Sequence, residues 1–103
     1  MMNFLKNLFG GKNPTDYKQL VKTGATIVDV RSAGEYQNGH IKDSVNIPLD
    51  TLNSNLSKIK KDKPVITCCA SGMRSAAAKN ILKSSGFTEV YNGGGWTSLM
   101  NKL

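Results

Sequence analysis

Metal ligands and long apolar runs are both scarce in this chain of 103 residues. It has one histidine and seven acidic residues, and their spacing is not that of a ligand set. No apolar run approaches the roughly 20 residues that a membrane-spanning helix needs. The sequence therefore predicts a protein with no metal site and no integral membrane segment.

Cysteine is also scarce, because the chain has only the adjacent pair Cys68 and Cys69. Two neighbouring thiols cannot make a disulfide framework, and successive strand residues point to opposite faces, so a bridge between them would be strained. We therefore expect a reducing compartment, the cytoplasm. Two interpretations of Cys68 are open, a resolving thiol for Cys69 or a strand residue packed under a helix, and the second is favoured.

Acidic residues are half as numerous as basic ones, which leaves a formal net charge of +7. Lysines cluster at residues 58–63. Two interpretations of this cluster are open: it attracts anionic small molecules or an acidic partner, or it is a solvated turn. The solvated turn is favoured. No aromatic residue lies within it, so nucleic-acid binding has little support.

The chain divides into a short N-terminal extension at residues 1–12 and one domain at residues 13–103. Four apolar residues of the extension, Phe4, Leu5, Leu8 and Phe9, recur at helical spacing before Gly10 and Gly11. Such an amphipathic segment can dock on a membrane surface or a partner, but folding back on the domain is favoured.

Helices and strands alternate along the domain. Periodicity and cap residues predict helices from residue 13 (capped by Asn13 or Thr15) to Gly24, and at 33–37, 50–59, 75–85 and 96–103. Apolar, β-branched runs predict strands at 25–30, 44–47, 65–68 and 88–91. This order is typical of an α/β domain, with a mainly parallel sheet of four to five strands and helices on both faces.

The most informative stretch runs from Cys69 to Ser75, where a strand ends and a tight loop opens into a helix. Free N–H groups and the positive dipole at a helix N-terminus favour a thiolate, and Arg74 adds a positive charge. We therefore expect a lowered pKa at Cys69. The plainer interpretation is a small buried side chain that ends a strand.

The spacing of this loop distinguishes between two chemistries. Four residues separate Cys69 from Arg74, so the ring of N–H groups suits one large sulfur atom bound to the cysteine. A cysteine phosphatase needs one residue more to surround a phosphate. The short loop therefore argues against a phosphatase or an arsenate reductase.

The pattern Cys69-x-Ser71-Gly72-x-Arg74-Ser75 resembles the active-site loop of single-domain rhodaneses, the thiosulfate:acceptor sulfurtransferases. The segment from Val28 to Pro48 is similar to the first signature of that family. The segment Val90-Tyr91-Asn92-Gly93-Gly94-Gly95-Trp96 is similar to its C-terminal glycine-rich signature. The resemblance covers about residues 13 to 103 and implies a rhodanese-like fold.

The resemblance implies a sulfur relay in which the Cys69 thiolate accepts a sulfur atom as a persulfide and passes it on. N–H groups of residues 70–74 would hold the terminal sulfur, and Arg74 would order the loop and favour the negative charge. Ser75 would have a structural role. The implied catalytic residues are Cys69 and Arg74, and the implied persulfide-binding loop is Ala70, Ser71, Gly72, Met73 and Ser75.

Residues outside the loop are implied to support it. Asp29 and Arg31 would lie under the active loop and hydrogen-bond to hold it. Glu35 and His40 would hold the connection that follows, an interpretation favoured over a general-base role for His40.

The implied partners are a small anionic sulfur donor and a thiol or cyanide acceptor, with a thioredoxin-like protein or glutathione as candidate thiols. No cofactor beyond the covalent persulfide is implied, and we expect a monomer. Many family members active on thiosulfate carry a cationic residue directly after the cysteine, where this chain has Ala70, so a persulfide donor remains open. A non-catalytic persulfide carrier or interaction module is the alternative function.

Overall fold

A single sheet of four parallel strands organises residues 15–103, the part of the chain that the computed structural model describes. The predicted extension at residues 1–12 lies outside these residues. The sheet order is β2-β1-β3-β4. The strands are β1 Thr26–Asp29, β2 Val45–Asn46, β3 Val65–Cys69 and β4 Val90–Gly95. The prediction of a parallel α/β sheet is confirmed, with four strands.

Short helices connect these strands. The α-helices are α1 Tyr17–Lys22, α2 Ala33–Gln37, α3 Met73–Ser84 and α4 Trp96–Met100. Two 3₁₀ segments, Leu49–Ser54 and Leu56–Lys58, lie between β2 and β3. The helix α1 begins after Asp16, whose carboxylate accepts the N–H of Gln19 at 3.0 Å. Its cap is therefore Asp16 and not Thr15, while Asn13, the other predicted cap, lies outside the described residues.

Alternation of side chains along β3 divides the core into two layers. Cys69 packs in the layer that contains Leu82 of α3, whereas Cys68 packs in the layer that contains Leu99 of α4. All five residues of β3 are buried, as expected for a central strand covered on both faces. The two adjacent cysteines therefore lie on opposite faces of the sheet, as the strand geometry predicts.

The predicted helix at residues 50–59 is wrong, because the structure has the two 3₁₀ segments there. Polar side chains in this stretch bond to the nearby backbone in place of a regular helical turn. Asn55 Nδ2 donates to the carbonyl of Thr51 at 2.8 Å, and the φ of Asn55 is −130°. Leu52 and Ile59 are nevertheless buried, so the apolar spacing predicted the buried residues correctly but not the type of helix.

The strand β4 extends through a run of glycines to Gly95, four residues beyond the predicted end at Tyr91. Glycine disfavours strands, but here it permits a close approach between backbones. A Cβ at Gly93 would lie 2.8 Å from the carbonyl oxygen of Thr67, and one at Gly95 would lie 2.9 Å from that of Ala70. The glycines therefore bring β4 against β3 and against the loop that follows it.

Gly93→Ala is expected to lower the free energy of unfolding by about 1–3 kcal/mol, because overpacking a close contact forces the backbone to move. Its matched control is Gly34→Ala in α2, where a Cβ would have open space among the described residues. That substitution should raise the free energy of unfolding by about 0.4–1 kcal/mol. Urea denaturation followed by circular dichroism measures both, and a Gly93→Ala protein as stable as the parent would contradict the close approach.

Candidate active site

Two backbone N–H groups converge on the sulfur of Cys69 at the carboxyl end of β3. The N–H of Gly72 donates to Sγ at 2.9 Å, and the N–H of Ser75 donates to it at 3.3 Å. Gly72 has a φ of 109°, which places it in the left-handed region that glycine adopts readily. It is the N-cap of α3, so the helix begins at Met73, two residues earlier than predicted. The early start lets the first turn of α3 surround the sulfur.

These contacts lower the pKa of Cys69 below the ordinary value of a thiol. Burial is the largest single influence on this pKa and raises it, but the hydrogen bonds to the sulfur together lower the pKa by more. They come from the backbone N–H groups of Ser75, Gly72 and Ser71. The structure therefore favours a thiolate at Cys69, as the loop sequence predicts.

Ser75 is fully buried and braces the loop from inside. Its hydroxyl lies 2.6 Å from Oδ1 of Asn92, to which it donates, and 3.0 Å from the carbonyl oxygen of Gly72. The hydroxyl of Thr67 donates to the carbonyl of Ser75 at 2.8 Å. Ser75 is not the cap of α3; its N–H bonds to the Cys69 sulfur and its side chain ties the loop to β4.

Asn92 is a site residue that sequence reasoning missed. Its Oδ1 accepts from Ser75 and also from the N–H of Gly94, at 2.9 Å, while its carbonyl accepts from the hydroxyl of Tyr17 at 3.1 Å. The available signal was a polar residue in an otherwise apolar strand, directly before three glycines. Asn92 thus connects α1, the glycine run and the loop around Cys69.

Arg74 forms a two-nitrogen ion pair with Glu35. Its Nη1 donates to Oε1 of Glu35 at 2.7 Å, and its Nη2 donates to Oε2 at 3.0 Å. This pair is the main cause of the raised pKa of Arg74, to which the charge of Cys69 also contributes. The guanidinium therefore acts on Cys69 across space, and the pair ties the loop to α2.

Glu35 holds the loop and its own helix at once. Its carboxylate also accepts the N–H of Ser32 at 3.0 Å, and the Ser32 hydroxyl accepts the N–H of Glu35 at 3.3 Å, which completes a capping box. The bonds from Arg74, followed by those from Ser32, lower the pKa of Glu35 to about 2. Glu35 is therefore anionic over the whole neutral range.

Asp29 and Arg31 form a buried ion pair that was expected to hold the active loop, but their hydrogen bonds go elsewhere. Arg31 donates to Asp29 at 2.7 Å, to the carbonyl of Gly39 at 2.7 Å and to that of Glu35 at 3.4 Å. Its guanidinium also lies 4.6 Å from the centre of the Trp96 ring. Asp29 pairs in register with Cys68, so both charged residues lie on the sheet face opposite Cys69. They fix the connection after β1 instead.

His40 belongs to that same connection. Its Nδ1 lies 2.7 Å from the carbonyl oxygen of Tyr36, and the two rings stack with centres 3.7 Å apart. These contacts support the structural interpretation of His40 over the general-base interpretation.

Cys68 is fully buried on the opposite face of the sheet from Cys69. Burial, followed by the negative charge of Asp29, raises the pKa of Cys68 to about 12. A neutral, enclosed thiol is a poor nucleophile. The geometry therefore agrees with the favoured interpretation of Cys68 as a packed strand residue.

The outer part of the loop is open to solvent. Ala70 and Ser71 are exposed, and Met73 retains 83% of its accessible surface. Within residues 15–103, no three histidine, cysteine or acidic side chains are arranged to hold a metal ion. None of the helices in that range is long and apolar enough to cross a membrane.

Comparisons with known proteins give a consistent result. A family model described as "Rhodanese-like domain" matches residues 13–102. The uncharacterized protein YqhL of Bacillus subtilis is 41% identical over 68 residues, which are 66% of this chain and 54% of that protein. This chain therefore spans about half the length of YqhL.

Two further proteins match over more of their own length. Thiosulfate sulfurtransferase GlpE of Pseudomonas savastanoi is 35% identical over 79 residues, which are 77% of this chain and 74% of that protein. A rhodanese-related protein from Thermoplasma volcanium superposes with a TM-score of 0.70 at 34% identity, covering 84% of this chain and 86% of that one.

The two thiols are expected to ionise at widely separated pH values. In a Cys68→Ala protein, the remaining thiol should ionise below the ordinary pKa of cysteine, because the N–H groups of Gly72 and Ser75 favour the thiolate. In a Cys69→Ala protein, the remaining thiol should ionise near pH 12, where burial holds its pKa. Thiolate absorbance at 240 nm during a pH titration measures both, and equal midpoints would contradict the assignment.

Proposed function

The chain belongs to the rhodanese-like domain family, and from this membership we propose that it is a sulfurtransferase that carries sulfur as a persulfide on Cys69. The observation that carries the proposal is the convergence of the Gly72 and Ser75 N–H groups on the Cys69 sulfur. Such donors stabilise a thiolate before the reaction, and they can stabilise a terminal persulfide anion after it. Similarity to a thiosulfate sulfurtransferase supports the same reaction class.

In the first half-reaction, the Cys69 thiolate attacks the outer sulfur of thiosulfate. A bond forms between Sγ and that sulfur, while the bond between the two thiosulfate sulfurs breaks. Sulfite leaves with the bonding electron pair, and the enzyme retains a persulfide anion. The total charge of −3 is the same before and after the step, and no oxidant or proton is needed.

In the second half-reaction, an acceptor removes the terminal sulfur. Cyanide attacks it and leaves as thiocyanate, while the electron pair of the broken S–S bond returns to Cys69 as a thiolate. A thiolate acceptor, from glutathione or a thioredoxin-like protein, would leave as a persulfide in the same way. The covalent intermediate implies ping-pong kinetics, and neither half-reaction requires a further cofactor.

The loop residues have separate roles in this proposal. Ala70, Ser71 and Met73 complete the short turn that allows N–H groups to surround the sulfur. Arg74 supplies positive charge across space and ties the loop to α2, whereas Ser75 contributes an N–H donor and the link to β4.

Incubation with thiosulfate is expected to add one sulfur atom, about 32 Da, to the intact protein, and cyanide should remove it. Cys69→Ser should abolish the gain, because the nucleophile is lost. Cys68→Ser is the matched control and should retain it, since that thiol is buried on the other face. Intact-protein mass spectrometry measures all three proteins.

Each alternative gives a different pattern in this experiment. A gain with an alkyl persulfide but not with thiosulfate would favour the carrier function. Equal loss in both serine variants would show that the assignment of the nucleophile is wrong. No gain with any donor would contradict sulfur transfer as the function of this loop.

A further inference from the structure

A cavity of about 390 Å³ lies beside the active loop, on the side of Arg74. We call this cavity the mouth; its lining residues are Val30, Ser32, Pro48, Leu49, Asp50 and Arg74. Three of them are apolar, one is a hydroxyl residue, and the two charged ones have opposite signs. A group that enters the mouth therefore meets mostly apolar surface, one guanidinium and one carboxylate.

A carboxylate already offsets the charge of that guanidinium. Arg74 is the only cationic residue between Cys69 and Ser75, and both of its terminal nitrogens bind Glu35. The carboxylate of Asp50 adds a negative charge at the mouth, and a donor that reaches Cys69 also meets its thiolate. The local charge that a donor meets is therefore negative, although the chain as a whole carries a formal +7.

Glu35 does not leave this position readily. It is fixed by Ser32 in the capping box of α2 as well as by Arg74. A bidentate guanidinium–carboxylate pair is strong and geometrically specific. Glu35 occupies one N–H of each terminal nitrogen. A dianion that approaches Arg74 must therefore use the remaining N–H groups, beside a carboxylate that already offsets the charge of the guanidinium.

We propose that Glu35 is a specificity-determining residue: by offsetting the charge of Arg74, it makes the mouth select singly charged sulfur donors with an apolar group over dianionic thiosulfate. This inference rests on the proposed sulfur-transfer function and adds the class of donor to it. The apolar group would lie against Val30, Pro48 and Leu49.

Three donors separate the effect of charge from that of apolar contact. Thiosulfate is a dianion, methanethiosulfonate is a monoanion with a methyl group, and benzenethiosulfonate is a monoanion with a phenyl group. With each, the Cys69 thiolate forms an S–S bond to the outer sulfur, and the bond from that sulfur to the oxidised sulfur breaks. Sulfite leaves in the first case and a sulfinate in the others, with the electron pair.

The experiment compares kcat/KM for the three donors, with cyanide as acceptor, in the parent protein and in Glu35→Gln. Glutamine can keep the capping box but removes the charge. Electrostatic free energy scales with the charge of the donor, so a gain of roughly threefold for a monoanion implies roughly tenfold for the dianion. The ratio of thiosulfate to methanethiosulfonate should therefore rise about threefold.

One variant and one condition serve as controls. Glu89→Gln makes the same substitution at the amino end of β4, so it changes the net charge away from the mouth and should leave the ratio unchanged. High salt should reduce the change caused by Glu35→Gln, since these groups are partly exposed.

The apolar part of the proposal has its own comparison in the parent protein. Each rate is divided by the rate of the same donor with free 2-mercaptoethanol, which removes the difference between leaving groups. Benzenethiosulfonate should then exceed methanethiosulfonate by about tenfold, because the phenyl ring buries apolar surface. Equal normalised rates would overturn the apolar assignment.

The outcomes distinguish this inference from the function on which it rests. An equal loss for all donors in Glu35→Gln would show that Glu35 only positions Arg74, and an unchanged ratio would show that its charge does not affect selection. Either result overturns the role of Glu35 while sulfur transfer stands. Failure of every donor to persulfidate Cys69 would overturn both.

Discussion

The hydrogen bonds from Gly72 and Ser75 to the Cys69 sulfur are the constraint on which the site depends. Both N–H groups can reach one sulfur atom only if the chain turns sharply after β3 and enters α3 at once. The left-handed conformation of Gly72 provides that turn. Burial of Leu82 on the sheet then keeps α3 in place, so core packing maintains the donors on the thiolate.

The glycine-rich end of β4 closes the loop from the other side. Asn92 links it to Ser75 through side chains, and Gly95 lies against the carbonyl of Ala70 with no room for a Cβ. The irregular register between Thr67 and Cys69 occurs where these strands meet. The loop is therefore held by backbone contacts on β4 and by the first turn of α3. These contacts leave little freedom for the N–H donors around the Cys69 sulfur to rearrange.

The sequence predicts the structure correctly where neighbouring residues determine it. It fails where the structure depends on how distant segments pair with one another. The loop from Cys69 and its helix could be predicted, because cap and strand patterns span only a few residues. The alternation of side chains along β1 shows that Asp29 and Arg31 share one face of the sheet. Which face that is depends on the register between β1 and β3, and local sequence does not determine this register. The contact of Glu35 with Arg74 joins residues 39 apart, and no local pattern reports it.

Two arginine–carboxylate pairs among the described residues differ in their exposure to solvent. One pair has a structural role, and the other lies where it affects the selection of sulfur donors. The pair Asp29–Arg31 is almost fully enclosed, with side chains 1% and 5% exposed. Loss of either partner would leave an uncompensated buried charge, which makes that pair a fixed part of the fold. The pair Glu35–Arg74 is 38% and 37% exposed. Water screens it, so substitution of either partner is far less costly to the fold, and such a pair can set the charge of a site without endangering the fold.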